Sequence, residues 1–453
     1  MGLKGSEFEM MISHNQYGGK AVGEHEGIVV LTNQGLPGQR LLVRVKRVRE
    51  THLEAVTVDL VEESSIVSQP ACPHAVKCGG CSMQGVDYGN QVALKEQQVK
   101  ALFEKRGIMP DEWLPTIPSP RAFEYRNKME FSFGNEEKDG PLTLGMHQKG
   151  RRYDVVDTPH CNIVDEDIRQ IRTLTADFFR RHGTAPYHKF SHQGVLRHLV
   201  VRKAAFTGEI MVNLVTAHDE NLPADEWKDA LLNLPIEGSI AGILWTINDQ
   251  VADTVQSDGT RILHGKNVIR ENLLGLEFSI TPFSFFQTNS YAAGVLYESV
   301  RQWVDASDQN VFDLYSGLGT ITQILAKKAQ RVTGIEIVEE AVDQARIDAQ
   351  RNMCDNCEFI AGDVKETLDQ LPGVPDLIVL DPPRAGVHPK AMEEILSITP
   401  PKIIYVSCNP RSLMDNLEQA CAQGYGVRKV RCVDLFPHTP HVECVVLMSR
   451  VDK

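Results

Sequence analysis

The sequence predicts an α/β fold whose C-terminal parallel sheet carries the chemistry, preceded by a small N-terminal β-barrel and a middle α+β domain. Three observations predict it. After Asn272, apolar strands and helix-like segments alternate at regular intervals, the mark of a parallel sheet covered by helices. Residues 1 to about 62 break instead into short strand-like runs between glycine turns. Between these regions the composition changes at Ser68, and four cysteines are spread over residues 72 to 161. A length of 453 residues suits two or three domains rather than one.

Composition narrows the function classes. Hydrophobic content is 42% and charged content 24%, and no apolar run approaches the length of a membrane span. The start MGLKGSEFEMMIS lacks a basic segment followed by an apolar run, so a secretory leader is not expected and the cytoplasm is the expected compartment. The ten cysteines should be reduced there, which favours metal, cluster or catalytic roles over disulfides. No membrane contact and no obligate protein partner are indicated. A net charge of −13 confines any nucleic-acid surface to local islands. Arg40, Arg44, Lys46, Arg47 and Arg49 form one such island, and Lys149, Arg151 and Arg152 another. A solvated strand edge would look the same.

In order along the chain, residues 27–31, 40–48 and 52–61 read as barrel strands. Five-stranded barrels of this kind often bind oligonucleotides, though a purely structural barrel shows the same pattern. Residues 63–272 form the middle domain, with a polar helix expected over Asn90 to Arg106 and sheet over Glu124 to Val156 and beyond Leu196. Cys72, Cys78 and Cys81 are spaced C-x5-C-x2-C, and Cys161 completes four thiols. Zinc and a [4Fe-4S] cluster are both open by ligand count. Cys354 and Cys357 form a second C-x2-C without a partner pair, and read as incidental.

Residues 273–453 carry the site. The strand Val311-Phe-Asp-Leu-Tyr-Ser-Gly-Leu-Gly-Thr320 ends in a glycine turn, where Gly317 and Gly319 let backbone approach a ligand. The next strand ends in Glu336, placed for ribose hydroxyls, the third in Asp363, and the fourth in Asp381 of Asp-Pro-Pro-Arg384. Singly, each acid is as readily a helix cap. Together they crowd the strand ends where open α/β sheets bind ligands. No G-x-x-x-x-G-K-[ST] is present to hold a nucleoside triphosphate. The fifth strand runs straight into Cys408 of Ser-Cys-Asn-Pro410, and Glu443 follows Phe436-Pro-His-Thr-Pro-His. A buried cysteine acting as a small hydrophobe is the plain alternative for Cys408, and His441 is the rival base to Glu443.

The glycine turn, acid order and DPPR resemble class I S-adenosylmethionine (SAM)-dependent methyltransferases, in a Rossmann-like fold. DPPR, SCNP and HVE in this order resemble the RNA 5-methyluridine (uracil-C5) methyltransferases across most of the chain. That resemblance implies SAM contacts at Gln287 of FFQTN, Tyr315, Gly317, Gly319, Glu336, Asp363 and Asp381. It implies Cys408 as nucleophile and Glu443 as base, and it makes Phe285 a candidate to stack on a flipped base. It further implies that the barrel is a TRAM (OB-like) domain. Cys72, Cys78, Cys81 and Cys161 would carry a [4Fe-4S] cluster, and the RNA partner would be 23S rRNA rather than tRNA. Ser316 departs from the cysteine many relatives carry. Two rivals remain: an exocyclic-amine methyltransferase, which would place an aromatic where Arg384 stands, and a non-catalytic iron-sulfur RNA-binding protein.

Overall fold

The computed structural model describes residues 3–138, 140–151, 153–250, 258–368, 371 and 373–451. The N-terminal region closes into a five-stranded barrel of β1 (Glu7–Asn15), β2 (Ala21–His25), β3 (Ile28–Thr32), β4 (Arg40–Val48) and β5 (Leu53–Glu62), in the order β1-β2-β3-β5-β4. Along β4 the inward residues Leu41, Val43 and Val45 alternate with Arg40, Leu42, Arg44 and Lys46, so one face fills the barrel and the other meets water. The outward arginines are matched by acids across the barrel: Arg40 with Glu62 at 3.2 Å, Arg44 with Glu7 at 2.6 Å, Arg49 with Glu54 at 3.0 Å. The first basic island is therefore largely neutralised. Arg151 of the second pairs with Asp154 at 2.9 Å, and Arg152 lies outside the described residues.

After α1 (Tyr88–Arg106) and the two-residue β6 (Glu112–Trp113), a seven-stranded sheet forms from β7 (Lys128–Asn135), β8 (Leu142–His147), β9 (Val155–Asp157), β10 (Leu196–Lys203), β11 (Glu209–Thr216), β12 (Ser239–Ile247) and β13 (Gly259–Gly265). Its order is β13-β12-β11-β10-β7-β8-β9, with only β11 and β12 parallel. Helices α2 (Glu166–His182) and α3 (Ala224–Leu232) supply Ile168, Ile171, Phe179 and Trp227 to its core. The hairpin β14 (Ile269–Leu273) and β15 (Leu276–Ile280) follows. Its Ile269, Leu273, Phe278 and Ile280 pack into the C-terminal core.

The C-terminal layer comprises α4 (Ser290–Gln302), β16 (Asn310–Leu314), α5 (Thr320–Leu325), β17 (Arg331–Glu336), α6 (Glu339–Arg351), β18 (Cys357–Ala361), α7 (Val364–Thr367), β19 (Leu377–Leu380), α8 (Pro389–Ser397), β20 (Lys402–Ser407), α9 (Pro410–Ala422), β21 (Tyr425–Val433) and β22 (Glu443–Arg450). The sheet order is β18-β17-β16-β19-β20-β22-β21-β6, with β22 antiparallel between β20 and β21. β19 and β20 are apolar runs because helices cover both faces.

Two elements cross the boundary read from the sequence. Val99, Phe103 and Ile108 of the α1 region join the core under α9, and β6 extends the C-terminal sheet beside β21. Lys95 of α1 reaches Asp434 at 2.7 Å and the Phe436 carbonyl at 3.0 Å, fully buried. The helix expected in the middle domain is thus packed as part of the C-terminal layer. Among the described residues, no helix is long and apolar enough to cross a membrane.

Candidate active site

The strand order places the ends of β16, β17, β19 and β20 and the start of β22 along one edge. At the first turn, Tyr315, Gly317 and Gly319 adopt φ of 68°, 53° and 69°. An aromatic residue in the left-handed region is strained, a cost concentrated at functional turns. Gly319 is also fixed by space: a Cβ there would lie 2.4 Å from Phe359. Glu336 closes the turn from the next strand. Its carboxylate accepts from the Gly317 N–H and the Val338 N–H, both at 3.0 Å. Asp363 caps α7 by accepting from the Lys365 N–H at 2.9 Å. Burial, reinforced by the Asp363 charge, pushes the Tyr315 phenol up to about 12, so these two expected contacts lie in one neighbourhood.

The thiol and its partner acid are brought together by register. Ser407 of β20 pairs with Cys444 of β22, so Cys408, one residue beyond, comes beside Glu443. The start of α9 and the turn at Arg384 hold Cys408 there. Asn409 caps α9 through the Arg411 N–H and donates to the Arg384 carbonyl at 2.9 Å, while the Ser412 hydroxyl donates to the same carbonyl at 3.1 Å. The SCNP and DPPR turns are therefore one hydrogen-bonded unit.

Burial raises the two acids nearest Cys408, Glu443 and Asp381. Glu443 is held well above the ordinary carboxylate range by burial and by the Asp381 charge, with Arg384 opposing. Burial, then the Asp313 charge, pushes Asp381 up to about 7. Burial, then Glu443 and Asp381, pushes the Cys408 thiol up to about 11, and Arg384 again opposes. His441 is shifted the other way by burial and by Arg384, whose Nη2 lies 3.1 Å from its Nδ1. Gln287 is buried. Its side chain hydrogen-bonds the buried Tyr297, which feels both Asp381 and Glu443, and its carbonyl accepts from Asn127 at 2.9 Å. Phe285 is 71% exposed beside the buried Phe286.

Sequence reasoning missed three contributors. Asp313 lies in the middle of an apolar strand, where burial pushes it up to about 7 and the Thr322 hydroxyl donates to it at 2.6 Å; an acid inside an apolar run was the available signal. Tyr17, in the β1–β2 turn of the barrel, senses Cys444, Cys408, Arg384 and Glu443, and its carbonyl accepts from Arg411. No local pattern marks it. The turn leading to Glu443 is braced from α1 and beyond: Gln91 Oε1 accepts from the His438 N–H at 2.8 Å and Tyr125 donates to the Pro437 carbonyl at 2.9 Å.

The four cysteines of the middle region come near enough to act on one another electrostatically. Burial pushes Cys161 up to about 12 and Cys81 up to about 11, and neighbouring thiols of the set add to both shifts. Cys78 Sγ accepts from the Gly80 N–H at 3.4 Å. Among the described residues, however, no group of three or more His, Cys, Asp or Glu is arranged to hold a metal ion. Cys354 is buried, and it and Cys357 pack with the core between β18 and α5.

The family model described as tRNA (Uracil-5-)-methyltransferase matches residues 87–451. An uncharacterized RNA methyltransferase of Clostridium tetani is 43% identical over 450 residues, 99% of each chain. Another, from Caldanaerobacter subterraneus, is 42% identical over 448 residues, again 99% of each. Among solved structures, the Pyrococcus abyssi tRNA (uracil-54, C5)-methyltransferase in complex with S-adenosyl-L-homocysteine superimposes with a TM-score of 0.76 at 28% identity, covering 97% of this chain and 99% of that one.

Proposed function

The chain belongs to the tRNA (uracil-5-)-methyltransferase family, and from that membership we propose that it transfers a methyl group from SAM to carbon 5 of a uridine in RNA, with Cys408 as nucleophile and Glu443 as general base. The observation that carries this reading is the β20–β22 register, which sets a thiol beside a buried acid at the strand edge where ligands bind. The Gly317–Gly319 turn, with Glu336 closing it, supports a SAM site there, together with Tyr315, Asp363, Asp381 and Gln287.

Carbon 5 of uracil is a poor nucleophile. Addition of the Cys408 thiolate to carbon 6 makes the ring an enolate, and its carbon 5 takes the methyl group from the sulfonium, releasing S-adenosylhomocysteine. Glu443 as carboxylate then accepts the remaining proton of carbon 5, and the electron pair expels the thiolate. Arg384 favours both ionised forms, opposing the burial that otherwise keeps them neutral. A cationic methyl donor, when bound, would act in the same direction. Exposed Phe285 is available to stack on the extruded base.

Cys408→Ala should abolish methyl transfer while SAM binding persists; retained turnover would remove Cys408 from the nucleophile role. Glu443→Gln should accumulate a covalent protein–RNA adduct, since methyl transfer precedes the blocked step, and gel analysis showing no adduct would move the base elsewhere.

For the four thiols, the ligand count admits a [4Fe-4S] cluster, which Cys72, Cys78, Cys81 and Cys161 would bind as thiolates. Iron and sulfide analysis after anaerobic purification tests it, and zinc in place of iron refutes it. The resemblance to iron-sulfur-containing relatives favours 23S rRNA as substrate, whereas the solved relative acts on tRNA and favours a tRNA uridine. Mapping 5-methyluridine in both RNA pools of a deletion strain separates the two.

A further inference from the structure

On the middle sheet, far from Cys408, a cavity of about 180 Å³ is lined by Tyr153, Tyr187, His188, Phe190, Arg197 and His198. Its volume is below the ~300–1,000 Å³ of sites that enclose a drug-sized molecule, which suits one heterocycle. The aromatic wall is presented to solvent. Phe190 is 68% exposed and Tyr153 45%, and their rings meet edge to face at 4.8 Å. The loop bearing Phe190 is a built turn: the His188 N–H donates to Gln193 at 2.7 Å, the His192 N–H to His188 at 2.8 Å, and the Tyr187 hydroxyl bonds His192 Nδ1 at 2.8 Å. A large apolar ring is thus held out in water by internal hydrogen bonds.

Two further features point to an occupant. Arg197 is 96% buried by its 4% exposure and stacks on Tyr187 at 4.1 Å, and its Nε and Nη1 have no acceptor among the described residues. Buried guanidinium donors of this kind call for an acceptor. Lys138 and Lys189 line the same cavity and Lys149 lies in the turn after β8, so cations flank it, with Glu137 and Asp154 the acids among the described lining residues. Aromatic faces rimmed by cations are how unpaired bases and their phosphates are held.

We propose that this cavity holds an unpaired purine of the substrate RNA, away from the uridine that reacts, and so selects the RNA; this rests on the RNA-methylating reading above. Strands β7 and β10 fix its distance from the site. Asn127, just before β7, bonds the Gln287 carbonyl, and Arg202 of β10 donates to the Ser284 carbonyl at 2.5 Å, whereas Asn135 and Arg197 at the other ends reach the cavity. Eight strand residues span about 25 Å. A base bound there fixes the register in which the RNA enters the catalytic edge.

The test uses the full chain and a decamer of uridines carrying one central 2-aminopurine, with an abasic site at that position as control. The wild-type chain should quench 2-aminopurine emission, and Phe190→Ala or Tyr153→Ala should remove the quench and weaken binding about tenfold. The abasic probe should bind the wild type as weakly as 2-aminopurine binds the variants. In parallel, transfer of labelled methyl from SAM to RNA from the deletion strain should show a raised KM and an unchanged kcat in both variants. Wild-type quenching without any methyl transfer would leave the cavity standing and sink the function; normal transfer with variants equal to wild type in KM and quench would overturn the cavity.

Discussion

At the scale of single residues, Cys408, the proposed nucleophile, holds its proton tightly. Its thiol, pushed up to about 11 by burial and by Glu443 and Asp381, is almost wholly protonated near neutrality in the free chain. The thiolate fraction therefore grows with pH, so kcat/KM should climb from pH ~7 to ~9 without levelling, because the ionisation lies above that window. A pH–rate profile that flattens near 8 would contradict it. Arg384→Ala should move the climb to higher pH, since Arg384 is the group that lowers the thiol. Asp381 behaves differently: pushed up to about 7, it carries a fractional charge in the working range, so SAM affinity should also change with pH there. The cysteine, the acids and their order were legible as residues at strand ends, because such positions announce themselves in apolar runs. Their electrostatic state was not legible, because it depends on Arg384 and Asp313 arriving from different segments.

At the scale of elements, the parallel strands were readable and α1 was half readable. Its span was visible, but its home was not. The face it buries carries Gln91, Lys95 and Gln98 beside Leu94, Val99 and Phe103, so no clean apolar stripe tells where it packs. β6, two residues long, offers no pattern at all, and β1 went unread because its inward Met10 and Ile12 alternate behind Glu7 and Glu9. The middle cysteines group by spacing, but among the described residues no three are arranged to hold a metal ion. What α1 does is set by the turn it braces. Lys95→Ala leaves Asp434 buried without its cation and should cost ~3–5 kcal/mol by chemical denaturation. Gln91→Ala frees the His438 backbone ahead of Glu443 and should lower kcat more than it changes KM, which steady-state kinetics on the RNA substrate would read.

At the scale of the whole molecule, chain order and packing order disagree. The barrel's β1–β2 turn reaches the catalytic edge through Tyr17 and Arg411, and α1 with β6 completes the C-terminal layer. Amide hydrogen exchange should therefore protect α1 together with β20–β22 rather than with the middle sheet; exchange of α1 in step with β7–β13 would refute this. The Lys95–Asp434 pair joins residues 339 positions apart. At a synthesis rate of ~5–20 residues per second, α1 leaves the ribosome roughly 20–70 s before its partner exists. An apolar docking face would spend that interval seeking other contacts. Lys95 and the Gln91 carbonyl oxygen let the buried face of α1 wait in water, and they meet Asp434 and the His438 N–H only when the last strands of the chain arrive.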